Sequence, residues 1–207
     1  MIILFANIKG GVGKSTLTLA LANYLSQEHR RWVSIVDLDF KQSLVNMQKN
    51  TQILQTPALY SIYSCEQAES MNLLSQIKEH PNKIVLVDTP SNIQESTLKN
   101  YFSLADLIIC PFCYDQYTTH ATLLFSLVIS KINPRVPICY IPNRIKSGPI
   151  IDAKAEIEKA LANFGTITSI INDRIDFQKL TNIHTPTTLL SLIMPVFDSL
   201  YHQYLYK

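Results

Sequence analysis

Within the first sixteen residues lies a run built to hold phosphate: Ile8-Lys9-Gly10-Gly11-Val12-Gly13-Lys14-Ser15-Thr16. It follows the apolar run Ile2-Ile3-Leu4-Phe5-Ala6 and leads into the helix-like segment Thr16 to Leu25, giving the strand, glycine loop and helix order a phosphate-binding loop requires. Glycines allow backbone N–H groups to curl around an anion, and a helix N-terminus adds its partial positive charge at the same place. In this setting Lys14 reaches the β- and γ-phosphates as a point charge, and the Ser15 hydroxyl is a Mg²⁺ ligand. A glycine-rich turn before an ordinary helix is the plain alternative. Two details stand out. Ile8 occupies the position where the general pattern has glycine, and a second lysine, Lys9, enters the loop. A second cation beside Lys14 costs repulsion unless it serves a phosphate, one held by another subunit included.

Three carboxylates fall at strand ends. Trp32-Val33-Ser34-Ile35-Val36 reads as a strand that runs into Asp37-Leu38-Asp39, two carboxylates on one side at the crevice where open α/β sheets bind ligands. Lys14 and Mg²⁺ would offset their repulsion, whereas a solvated strand end with a helix cap is the competing reading. Lys83-Ile84-Val85-Leu86-Val87 is a buried parallel strand by its aliphatic run. It ends at Asp88, positioned either to hold Mg²⁺ through its water shell or to cap a helix.

The elements that must position these groups alternate along the chain. Strands are expected at Leu107 to Pro111, Val136 to Ile141 and Thr166 to Ile171, and helices at Gln67 to Glu79, Thr118 to Lys131 and Ile150 to Asn163. A short helix, Val45 to Gln52, and an edge strand, Ala58 to Ile62, fit the less legible middle. The alternation predicts an α/β fold, a mostly parallel twisted sheet with helices on both faces. With 207 residues and 47% hydrophobic content, a single domain over 1–207 is expected.

Net charge is +2, so no molecule-wide field announces nucleic acid. Residues 1–130 carry nine basic and ten acidic side chains and residues 131–207 nine and six, a weakly basic final third compatible with a DNA-facing surface or with none. No signal peptide or membrane span is evident, which predicts a cytoplasmic protein with Cys65, Cys110, Cys113 and Cys139 reduced. Cys110 and Cys113 have C-x-x-C spacing, but without a second pair they read first as core residues and only second as a metal or redox site.

Lys9 to Thr16 resembles the deviant Walker A motif of the ParA/MinD ATPases, and Asn7-Ile8 before it looks more like the ParA branch. Asp37 to Ser43 is similar to that family's D-x-D-P-Q-x-S segment, with Phe40 and Lys41 in place of proline and glutamine. Asp88-Thr89-Pro90-Ser91 resembles D-x-P-P, with Ser91 departing from the second proline. All three departures bear on the switch that follows nucleotide turnover. The resemblance implies a single-domain P-loop NTPase that uses ATP and Mg²⁺. It implies phosphate-loop contacts from Lys9, Gly10, Gly11, Val12, Gly13, Lys14, Ser15 and Thr16, with metal contacts from Ser15, Asp37 and Asp88. Asp39 orients the attacking water, and Asn143 with Arg144 contacts the adenine; a plain turn role is the alternative for Asn143. Arg174 matches an arginine near the family's dimer and DNA-binding region, with a surface ion pair as the other reading.

The implied behaviour is an ATP-dependent homodimer in which Lys9 approaches the partner's phosphates. Such a dimer binds non-specific double-stranded DNA on the nucleoid, is stimulated by a ParB-like adaptor, and serves plasmid or chromosome partition. A MinD-like membrane-cycling ATPase and a metabolic P-loop enzyme are rivals. The apolar C-terminal segment Thr188 to Tyr206 has too few cations for a membrane-surface helix and is expected to pack on the sheet. An iron–sulfur reductase would want a cysteine soon after Asp88, and Thr89 to Ile109 contain none.

Overall fold

The computed structural model describes residues 1–39, 42–53, 57–64, 74, 82–91, 95–146 and 153–206. Seven strands form one sheet: β1 (Ile2–Phe5), β2 (Trp32–Asp37), β3 (Ser61–Ser64), β4 (Lys83–Asp88), β5 (Leu107–Phe112), β6 (Ile138–Pro142) and β7 (Thr166–Ile167). Their order is β3-β2-β4-β1-β5-β6-β7, and every described pairing is parallel. The helices whose bounds lie among the described residues are α1 (Lys14–Gln27), α2 (Ser43–Ile53), α3 (Glu95–Leu104), α4 (Gln116–Ile132), α5 (Lys154–Leu161) and α6 (Thr187–Leu200). A 3-10 turn spans Ile175–Lys179, and a π-helical turn, Tyr201–Leu205, ends the chain's last helix.

Parallel strands covered on both faces have to be apolar on both, and β1 is. Ile3 and Phe5 enter a core with Leu21 of α1 and Phe197 of α6, while Ile2 and Leu4 enter a second core with Phe102 of α3 and Phe125 of α4. β1 is the pivot. The chain goes from β1 to one side through β2 and β3, and later from β4 across to β5, so the loop after β1 opens at the topological switch point of the sheet. The register then brings Phe5, Asp37 and Asp88 side by side at the C-terminal edge.

Several boundaries differ from the periodicity. β3 starts three residues later than Ala58 because its pairing with β2 begins only at Ser34 with Ser61. β7 stops at Ile167, and the chain then rejoins β6 through Ile171 N–H donating to Pro142 O at 2.8 Å. α3 and the 3-10 turn have no counterpart in the sequence reading. The helix expected at Gln67 to Glu79, apart from the buried, helical Leu74, the first residues of the one expected from Ile150, and Phe40, Lys41 and Cys65 lie outside the described residues. One face of α6, which has Pro195 inside it, packs on the first core, where Leu189, Ile193, Val196, Phe197 and Leu200 are buried.

Candidate nucleotide site

The loop after β1 is shaped by two glycines in the left-handed region, Gly11 at φ 78° and Gly13 at φ 93°. Gly13 is the residue from which α1 starts, its carbonyl accepting from Leu17 N at 2.9 Å. A Cβ at Gly13 would be strained and would run into the Asn143 amide. Asn7 secures the loop entrance: its Nδ2 donates to Pro111 O and Thr122 Oγ1, both at 2.9 Å, and its Oδ1 accepts from Lys9 N at 3.0 Å. These bonds tie the loop to β5 and α4. Ser91 lies against Gly10 on the opposite flank.

Lys14 is 8% exposed and curls over its own loop, donating to Asn7 O at 3.3 Å and to Lys9 O at 3.5 Å. Burial lowers its pKa, and the nearby charges of Asp88 and Asp39 partly restore it. Asp88 is fully buried, and burial pushes its carboxyl up to about 7. The Ser15 hydroxyl and Lys14 oppose that rise; Asp37 and Asp39 add to it. Ser15 is near enough to exert this influence but makes no hydrogen bond of normal geometry, and among the described residues both Asp88 oxygens lack a partner. A buried carboxylate left unpaired in this way costs free energy that a cation would recover. The donor set, one hydroxyl and one carboxylate beside a phosphate cradle, therefore fits Mg²⁺.

Asp37 is differently employed. Its Oδ1 accepts from Asp39 N at 3.1 Å, and its Oδ2 accepts from Leu44 N at 3.1 Å and Val45 N at 3.4 Å, the open N–H groups in the first turn of α2. Burial raises its pKa against these three bonds. The side chain thus caps α2 from the end of β2, the structural reading of that carboxylate. Asp39 is half-buried, and its carbonyl accepts from Gln42 N at 2.8 Å.

Beside the loop opens a cleft of about 310 Å³. Gly13, Thr16, Asn143, Arg144, Arg174 and Phe177 line it, so it continues directly from the phosphate cradle. Asn143 is buried, with Nδ2 donating to Val12 O at 2.8 Å, and Arg144 Nη1 donates to Gly11 O at 2.7 Å. Both residues proposed for adenine hold loop carbonyls here. Arg144 itself sits at φ 57° and pairs with Asp173 at 3.8 Å. Arg174, considered for DNA, is exposed on the wall of this same cleft. Phe177 and Gln178 also line it, and sequence reasoning missed them. They follow Arg174 on the 3-10 turn, where no periodicity marks a pocket wall.

Lys9 stands apart from the other loop residues. It is exposed, and its Nζ lies 6.0 Å from the centre of the Tyr117 ring on α4. Of the described cysteines, two are core and Cys113 is half-buried. Cys110 and Cys139 are buried with raised thiol pKa values, Cys113 Sγ donates to Asn143 O at 3.1 Å, and the described residues contain no His, Cys, Asp and Glu grouping able to hold a metal by themselves.

A glycine loop at the switch point, a buried lysine and an unpaired carboxylate at the neighbouring strand end define a P-loop nucleotide-binding domain. Residues 3–186 match the CobQ/CobB/MinD/ParA nucleotide binding domain, and the chain belongs to that family. Its fold is similar to that of a Borrelia burgdorferi protein assigned to plasmid partition and bound to AMPPNP, at 20% identity over 98% of each chain and a TM-score of 0.74. MinD of Aquifex aeolicus matches at 20% identity over 97% of each chain with a TM-score of 0.76. A single-residue variant of Cyanothece McdA in complex with ATP matches at 15% identity over 97% of this chain and 95% of that one, with a TM-score of 0.71. No curated protein sequence matches the chain.

Proposed function

We propose that this protein is a Mg²⁺-dependent ATPase that works as a nucleotide-switched homodimer in plasmid or chromosome partition. In the ATP state it binds double-stranded DNA without sequence preference, and a ParB-like adaptor on the cargo stimulates turnover. It is cytoplasmic and nucleoid-associated while ATP is held.

The observation that carries this reading is the pair of loop lysines with divergent surroundings. Lys14 is buried over its own cradle; Lys9 is exposed and directed to Tyr117, available to a phosphate outside its own loop. A face-to-face dimer supplies such a phosphate. Ser15 and Asp88 would hold Mg²⁺, with Asp37 contributing charge from the adjacent strand. The metal, when bound, neutralises charge on the β- and γ-phosphates. Lys14 and the loop N–H groups hold those oxygens, and Asp39 orients the attacking water. Asn143 and Arg144, braced on the loop, border the cleft that receives the nucleoside.

The test is binding of the Asp39→Ala variant to a random-sequence duplex with ATP and with ADP across a salt series. Tight, salt-sensitive binding with ATP alone is the expected result. Equal binding in both states, or none with ATP, would overturn the DNA-carrier reading.

A further inference from the structure

The opposite pole of the sheet carries a surface that the nucleotide site does not use. At the N-terminal ends of β2 and β4, Trp32 pairs in register with Lys83; further along β2, Ser34 pairs with Ser61 and Val36 with Tyr63. Side chains two apart along a strand share a face, so Trp32, Ser34, Lys83, Ser61 and Tyr63 stand on one side of the sheet. On that side of the sheet Val36, Val85 and Val87 enter a core further along β2 and β4. Trp32 is 74% exposed and Tyr63 47%. With Arg31 and Leu59 they line a cleft of about 440 Å³ whose described lining includes no carboxylate. Arg30, one residue earlier, is exposed and held at φ 50°.

An indole left in water costs free energy that a stacking partner recovers, and two cations with no carboxylate among the described lining residues call for an anion. One ligand class supplies both at this spacing. By strand geometry Trp32 and Tyr63 are about 14 Å apart between Cα atoms, too far to stack on each other and suited to separate bases. Duplex DNA hides its base faces and offers edges and phosphates, whereas an unpaired strand offers a face at every base. We infer that the Trp32, Tyr63, Arg31 and Lys83 cleft binds single-stranded nucleic acid, the rings stacking on bases and the cations meeting phosphates.

Trp32 and Lys83 lie about 17 Å along β2 from Asp37, while Tyr63, in register with Val36, lies toward it; none of the four cleft residues is among the described residues that line the nucleotide cleft. The site stands apart from the ATP-dependent duplex binding proposed above. Trp32 is the only tryptophan in the chain, which makes it a built-in reporter.

The experiment titrates the full chain with a short oligo-dT at low salt, following Trp32 fluorescence and the anisotropy of a labelled copy. Saturable quenching is expected with ATP, with ADP and without nucleotide. Arg31→Ala with Lys83→Ala should weaken binding at least tenfold and reduce the salt slope by roughly 1.4, the share of two phosphate contacts on a single strand. Trp32→Ala should weaken anisotropy-detected binding roughly five- to hundredfold, and Trp32→Phe should retain most of it. Thermal unfolding and ATP binding, unchanged in each variant, report an intact fold. Absence of quenching, unchanged affinity in the Arg31 and Lys83 double variant, or equal binding and quenching by a duplex would overturn the inference. Binding that needs ATP and is lost in Lys14→Ala alone would do so too, while leaving the switch reading in place.

Discussion

Asp88 and Lys14 are opposite charges in a setting that suits neither without a ligand. Burial raises the Asp88 carboxyl to about 7 and lowers the Lys14 ammonium, so the unliganded fold disfavours both charges. For Asp88 the folded pKa lies above the unfolded one. Its contribution to stability is therefore complete below the ordinary carboxylate range and is lost as pH rises toward about 7. Melting of the unliganded protein between those limits should show stability falling with pH, and Asp88→Asn should flatten that slope. A steeper fall in the variant would remove Asp88 as its source. If Asp88 is the Mg²⁺ ligand as proposed, Mg²⁺ binding in the presence of nucleotide should strengthen over the same interval, because only the carboxylate form coordinates. Lys14→Ala is expected to abolish nucleotide binding, measured by calorimetry with ATP. Retained affinity would refute the phosphate-loop assignment.

At the scale of elements, α2 begins where Asp37 lets it begin. The carboxylate at the end of β2 receives the N–H groups of Leu44 and Val45, so strand and helix are joined by one buried side chain. Asp37→Ala should cost about 1 to 2 kcal/mol, from the lost cap and the N–H groups left unpaired, and be read as a shift in denaturant midpoint. Asp37→Asn, which keeps an acceptor oxygen, should recover a large part of it. No change in midpoint for the alanine variant would show that water replaces the cap. The glycine loop is likewise braced from a distance: Asn7 links it to β5 and α4, and Asn143 and Arg144 hold its carbonyls from the end of β6. A loop fixed on three sides loses little entropy when phosphate arrives.

For the whole molecule, the sheet carries a proposed site at each of its two edges. Its C-terminal edge gathers the phosphate cradle, the three carboxylates and the cleft bordered by Phe177; its N-terminal edge presents Trp32 and Lys83. Lys9 belongs to the first edge but not to its own pocket. In Lys9→Ala, ATP binding should persist while ATP-dependent dimerisation is lost, measured by light scattering after size exclusion. A dimer that still forms with ATP would show that Lys9 does not bridge subunits. No described helix is long and apolar enough to cross a membrane, and α6 commits Leu189, Ile193, Val196, Phe197 and Leu200 to the core.

The sequence alone determined the parallel α/β sheet, because aliphatic runs such as Ile84 to Val87 tolerate only a strand covered on both faces, and it located the phosphate loop, because glycine, lysine and serine at that spacing have few other uses. It also placed Asp88 at the end of its strand. Chain position could not say what each side chain would meet after folding. That Asp37 caps α2, that Asn143 and Arg144 brace the glycine loop, and that Arg174 shares a cleft with Phe177 are contacts between residues far apart in sequence. The exposure of Trp32 is of the same kind: an aromatic residue opening a strand is ordinarily read as core. Only the strand order, which sets Trp32 beside Lys83 on an open part of the sheet, turned it outward. Local propensity acts over a few residues, and burial is decided by whatever the rest of the chain brings alongside.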